Sequence, residues 1–164
     1  SDLHAAGDFV TAYALSSCKM DMVDYLVTKW NGNINAGADR REGIVRASRN
    51  GCADVVSYAI DHGVNVHVRQ EIMLQDAAFS YMKDNLGDFA PQRVANYKQI
   101  MDDLVYKGHA DVYTAYKGLI AESIRHGEST RLGISHRTAA ETLWNVYGKN
   151  GAGALPALVP PPAP

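Results

Sequence analysis

Six histidines (His4, His62, His67, His109, His126 and His136), two cysteines (Cys18 and Cys52) and the adjacent carboxylates Asp102 and Asp103 are the side chains here able to ligate metal or move protons. A zinc site built on one helix needs two ligands a turn apart, at i and i+4. The histidines read as unpaired in that sense. His62 and His126 adjoin glycines at expected helix ends, while His67 and His109 fall in expected turns, so capping or solvated roles are expected for them. Neighbouring residues on a helix point about 100° apart, so Asp102 and Asp103 do not converge on one atom. Phosphate-binding glycine loops, His-Glu-x-x-His, Cys-x-x-Cys and the nucleophile elbow are all missing from the sequence. No catalytic residue, metal or cofactor is therefore expected, and the chain does not read as an enzyme.

The basic residues offer a different chemistry. They cluster in Asp39-Arg40-Arg41-Glu42 and recur at Arg46 and Arg49 on the segment that follows. Such a cluster serves solubility, or it forms a strip for an acidic partner segment, since arginine anchors are enriched at interface centres.

These residues are positioned by a sequence that resembles itself. Ala14, Asp21, Val23 and Tyr25 recur as Ala47, Asp54, Val56 and Tyr58, each 33 positions on. A fixed period of this length signals stacked supersecondary units, each unable to bury its apolar face alone. Each unit reads as two short helices and an extended exit. In the first, helices are expected over about 8–17 and 21–30, closing on the turn signal Asn31-Gly32. In the second they are expected over 44–51 and 53–60, with Gly51 stopping the first helix and Gly63 the second. Residues 64–69 then leave in β-like alternation. The third unit starts at Leu74, has its second helix over 94–106, and carries about 12 extra residues in a loop around 83–91. The fourth has a first helix over 120–127 and a second from Ser135, as N-cap, to Tyr147, with Arg137 and Glu141 paired at i, i+4. Trp30, Tyr97, Tyr106 and Trp144, near the ends of second helices, are expected to pack between units.

From Gly148 to Pro164 the chain is rich in Gly, Ala and Pro, which reads as a polyproline-like tail. Its Leu155, Leu158 and Val159 are expected to cover the end of the stack at Trp144, or to lie on neighbouring subunits. The 164 residues thus divide into a repeat domain over 1–147 and a tail over 148–164. The net charge of −2 and pI near 6.3 give no general attraction for nucleic acid or anionic lipid. No apolar run approaches the roughly 18 residues of a membrane span. Two cysteines in a chain of this length suit a reduced, cytoplasmic protein. They are expected to be free thiols, because packed helices lie about 8–10 Å apart and a disulfide needs Cα atoms within about 7 Å.

The segment from Ala47 to Val66, with Gly51, Val55-Val56, Tyr58, Gly63 and Asn65, resembles an ankyrin repeat, and Gly108-His-Ala110-Asp111-Val112 repeats its exit motif. The resemblance covers about 9–147. It departs from the family at the Thr-Pro-Leu-His helix start, where Glu42-Gly43-Ile44-Val45 stands instead, which implies less regular hairpins. This divergent form is most similar to ankyrin proteins of large DNA viruses and some intracellular bacteria. The resemblance implies an all-α solenoid of about four degenerate repeats and a non-catalytic module that binds another protein through finger loops and the concave face of the first helices. Arg40, Arg41 and Glu42 would lie on the first finger, Arg46 toward the groove, Arg69 and Gln70 on the second finger, and Asp111 and Tyr113 on the third. A second expectation is a structural component of an assembly such as a virion, anchored by residues 151–164.

Overall fold

The computed structural model describes residues 2–85, 87 and 91–148. Eight α-helices run through the described residues: α1 (Asp2–Ser16), α2 (Met20–Lys29), α3 (Ile44–Asn50), α4 (Ala53–Asp61), α5 (Ile72–Asn85), α6 (Pro91–Asp102), α7 (Val112–His126) and α8 (Arg131–Tyr147). The fold is all-α, with no β-strand among the described residues. A 3-10 turn occupies Ala38–Arg40, and a π-helical segment, Asp103–Lys107, continues α6.

The 33-residue period is visible in the backbone. Lys19 and Cys52, at corresponding positions, adopt φ −88°, ψ 77° and φ −80°, ψ 75°. Each donates its N–H to a carbonyl five residues back, Ala14 and Ala47 respectively, at 3.0 Å. The residue before each is left-handed: Cys18 at φ 58° and Gly51 at φ 80°. Val23 in α2 and Val56 in α4 are both fully buried.

Helix α1 packs on α2 and α3, α3 on α4 and α5, and α5 on α6, while α2 meets α4 and α4 meets α6. The last helix breaks this order. Helix α8 packs on α7 and also on α5, so it folds back over the helix that begins the preceding hairpin. Leu15, Ile44, Val45, Val55, Met73, Leu74, Ile100, Met101, Leu104, Leu119 and Leu143 form the interior. Burial of apolar area of this kind is the main favourable term in folding.

Several expectations need correcting. Cys18 and Cys52 are joined by a disulfide, with Cα atoms 5.5 Å apart. The expectation of free thiols used the distance between helix axes, but these residues lie in the turns between helices, where consecutive hairpins come closer. Helix α7 begins at Val112, not near Ile120, because the Asp111 carboxylate accepts from the Thr114 N–H at 3.1 Å and caps it. Gly118 lets α7 continue past α5, since a Cβ there would overlap the Gln75 side-chain amide. Helix α8 begins at Arg131 with Thr130, not Ser135, as its cap, the Thr130 hydroxyl accepting from Gly133 N–H at 3.1 Å. Ser135 lies inside the helix and donates back to the Arg131 carbonyl. Arg137 pairs with Glu128 at 2.9 Å rather than with Glu141.

The exit after α4 is a series of turns, not an extended segment, with Arg69, Gln70 and Glu71 all at positive φ. Tyr97 and Trp144 are buried, as expected, but Trp30 and Tyr106 are exposed. Trp144 is covered by Tyr113 and Tyr116 of α7, with ring centroids 6.0 and 5.5 Å away. The tail beyond Gly148 and residues 86 and 88–90 of the inserted loop lie outside the described residues. Among the described residues, no helix is long and apolar enough to cross a membrane.

Candidate functional site

Besides a hollow of about 720 Å³ between α5 and α8 at Phe79, Met82, Arg131 and Ser135, two hollows are lined by residues of the expected binding set. One, about 250 Å³, is lined by Phe9 and Tyr13 of α1, Glu42, and Arg46 and Asn50 of α3. The other, about 350 Å³, lies where α8 leans over α5. Arg41, Arg49, Asp76, Phe79, Glu122 and His136 line it, along with Lys83 and Leu132.

The turn sequence places the first set. Gly43 sits at φ 61° against the Ala36 carbonyl, and its N–H donates to the Ser16 hydroxyl at 2.8 Å. That closure brings Glu42 and Arg46 beside α1. In the Arg41–Arg49 hollow, Asp76 of α5 faces Arg49 of α3 at 3.5 Å. Burial pushes the Asp76 carboxyl up, opposed by the Arg49 and Arg41 guanidiniums. Phe79 stacks at a tilt on His136, with centroids 4.6 Å apart.

Across the hollow from Asp76, Glu122 and His126 of α7 meet His136 of α8. Glu122 accepts from Arg125 Nη2 at 2.6 Å and Nε at 3.1 Å. This hydrogen bonding holds its carboxyl below the usual range, against partial burial. His126 Nε2 lies 3.4 Å from Glu122 Oε2. The His126 and His136 rings stack, with centroids 5.2 Å apart and planes at 15°. One ligating atom from each of Glu122, His126 and His136 lies within 4.8 Å of the others.

The binding residues expected from sequence divide into three groups. Arg41, Glu42 and Arg46 line the two hollows. Arg40, Arg69 and Gln70 are on the loops beside them. Those loops are tied together: Arg69 Nη1 donates to the Asp39 carbonyl at 3.0 Å, and Asn65 N–H donates to Asn35 Oδ1 at 2.7 Å. The Gln70 carbonyl accepts from Gln75 Nε2 at 2.8 Å. Asp111 and Tyr113 do not join them. Asp111 caps α7, and Tyr113 packs on Tyr116 and Trp144 while staying 41% exposed.

The sequence does not mark Asp76, Phe79, Glu122, His126 and His136 as one site. A signal for part of it exists, because Glu122 and His126 stand at i, i+4 on one helix, as do His67 and Glu71, which pair at 2.5 Å. The expectation that no histidine has such a partner is therefore corrected. His136 carries no sequence signal, since its place depends on how α8 folds back over α5. No protein-family model, curated protein sequence or solved structure matches this chain.

Proposed function

We propose that this chain is a non-catalytic protein-binding module, an ankyrin-like solenoid that contacts its partner through the first-helix face and the adjoining loops. The observation that carries this reading is the continuity of that face. The Phe9–Tyr13 hollow and the Arg41–Arg49 hollow lie side by side on α1, α3 and α5. Exposed aromatic anchors at one end and guanidiniums along the middle are the residue types that dominate protein interfaces. Phe9 is 70% exposed and Tyr13 58% exposed, which is unusual for aromatic rings. The hairpin order from α1 to α6 supports the solenoid, while α8 packs back on α5 beside that face. An acidic, partly apolar segment of another protein suits this surface best.

The test compares affinity capture by the intact chain with capture by an Arg41→Glu/Arg46→Glu variant. The proposal expects a partner recovered by the wild type and lost from the variant, with the two circular dichroism spectra unchanged. Identical recoveries from both would refute it.

A second reading, a component of a larger assembly, is favoured by one observation. Met22, Tyr25 and Trp30 of the first hairpin are all exposed, Trp30 by 67%. Apolar residues grouped on one element fit a contact with a neighbouring subunit. A strictly monomeric chain at high concentration by light scattering would count against it.

A further inference from the structure

We propose that Glu122, His126 and His136 form a zinc site that opens onto the cleft between α5 and α8. This goes beyond the protein-binding reading and is independent of it. Two imidazoles and one carboxylate are the donor set that zinc accepts, with three protein ligands leaving a fourth position open.

The geometry supplies each part of the site. Glu122 and His126 lie one turn apart on α7, so both side chains project from the same face. His136 reaches them from α8, and the three ligating atoms lie within 4.8 Å of one another. Ligands of a tetrahedral zinc at about 2.0–2.1 Å stand roughly 3.3 Å apart. The side chains here are only partly buried, so rotamer adjustment closes the remaining distance.

The hydrogen bonds leave the ring nitrogens in the state a metal requires. His136 Nδ1 lies 2.8 Å from the Leu132 carbonyl, which can only accept, so the proton sits on Nδ1 and the Nε2 lone pair is free. Arg125 Nη2 lies 3.1 Å from His126 Nε2, and a guanidinium can only donate, so this Nε2 also offers a lone pair. The same Nη2 binds Glu122 Oε2 at 2.6 Å. One cationic nitrogen therefore bridges the carboxylate and an imidazole, the position a metal ion would take. The Arg125 side chain is 66% exposed and can swing into solvent when the ion enters.

Glu122 and His136 both line the Arg41–Arg49 hollow, so the open fourth position faces it. Arg41, Arg49 and Lys83 line the same hollow together with Asp76, which pairs with Arg49 at 3.5 Å, so Arg41 and Lys83 are the cations that would meet an exogenous carboxylate or phosphate.

Isothermal titration of zinc into the intact, chelator-stripped chain tests the site, run without reductant so that Cys18 and Cys52 stay bonded. Cobalt uptake followed by visible absorption reports the coordination. The expected result is one equivalent bound, at least tenfold weaker in each of His126→Ala and His136→Ala. Arg125→Ala should bind several-fold more tightly, because the competing cation is gone, and His67→Ala should match the wild type. All three ligands lie near the surface, and circular dichroism of each variant checks that the fold is kept. No stoichiometric uptake by the wild type, or uptake unaffected in both histidine variants, would overturn the proposal.

Discussion

Tyr58 of α4 donates its hydroxyl proton to the Asp24 carboxylate of α2 at 2.9 Å, tying these two helices together. Tyr147 of α8 makes the same kind of bond to Asp102 of α6 at 2.6 Å. In both, a tyrosine bonds to an aspartate two helices earlier in the chain. Partial burial first, and the Asp24 hydrogen bond and charge second, push the Tyr58 hydroxyl up to about 12 from 10.0. A raised folded value favours the protonated form, so this contribution is complete below pH 10 and disappears as pH rises through about 12. Tyr58→Phe should be less stable than the wild type by about 1 kcal/mol at neutral pH. The gap between the two, measured by urea denaturation, should narrow across that alkaline window. A gap that stays constant from neutral pH through the whole window would contradict the assignment.

The Cys18–Cys52 disulfide joins consecutive hairpins across a sequence separation of 34 residues. Closing a loop of that length restricts the unfolded chain by about 3–4 kcal/mol on the chain-entropy estimate. The Cys18→Ser/Cys52→Ser variant should lose a comparable amount in denaturant titrations, with no change in far-ultraviolet circular dichroism. Intact mass after alkylation under native, non-reducing conditions should show neither cysteine modified.

The helices that can be read from sequence are those whose signals are local. Gly51 and Gly63, the apolar spacing of Val55, Val56 and Ala59, and the offset from Ala14 to Ala47 place α2, α3 and α4 to within a few residues. Where caps decide the boundary, the reading fails. Asp111 reads as a loop residue and Ser135 as a cap, because several Ser, Thr and Asp residues compete for each helix start and only tertiary packing selects among them. The disulfide and the Glu122–His126–His136 cluster escape for another reason. Both depend on distances between turns and between helices, which a one-dimensional period does not encode. Arg41, Glu42 and Arg46 are legible as a group since they lie close together in the chain, whereas Asp76 joins them only through the packing of α3 on α5.

Gly51 is held at φ 80°, and a Cβ there would lie 3.3 Å from Cζ of Tyr97, whose hydroxyl donates to the Arg49 carbonyl at 2.6 Å. Gly63 has nearly the same φ, 79°, but open space around it. Gly63→Ala should therefore cost only the left-handed strain, about 1 kcal/mol. Gly51→Ala should cost that and more, because the Tyr97 ring must move and its hydrogen bond must lengthen. Equal losses for the two variants by thermal denaturation would show that Tyr97 yields freely.

Asp111 separates a capping role from a binding role at a residue expected on sequence grounds to contact a partner. Its carboxylate accepts from the Thr114 N–H at 3.1 Å and from the Thr114 hydroxyl at 2.9 Å. The backbone hydrogen bond is the main cause holding its carboxyl below 3.8, with partial burial working the other way. A lowered folded value means that the contribution is present above pH 3.8 and fades as pH falls through the folded value. Asp111→Ala should lose about 1 kcal/mol at neutral pH, the usual cost of an N-cap. Asp111→Asn keeps an oxygen able to cap but has no charge to titrate, so it should retain most of that stability. The advantage of the native aspartate over the Asp111→Asn variant should then vanish in acid, as followed by denaturant titration at successive pH values. If Asp111→Ala left stability untouched yet abolished partner capture, the residue would belong to the binding surface, and the start of α7 at Val112 would owe nothing to its cap.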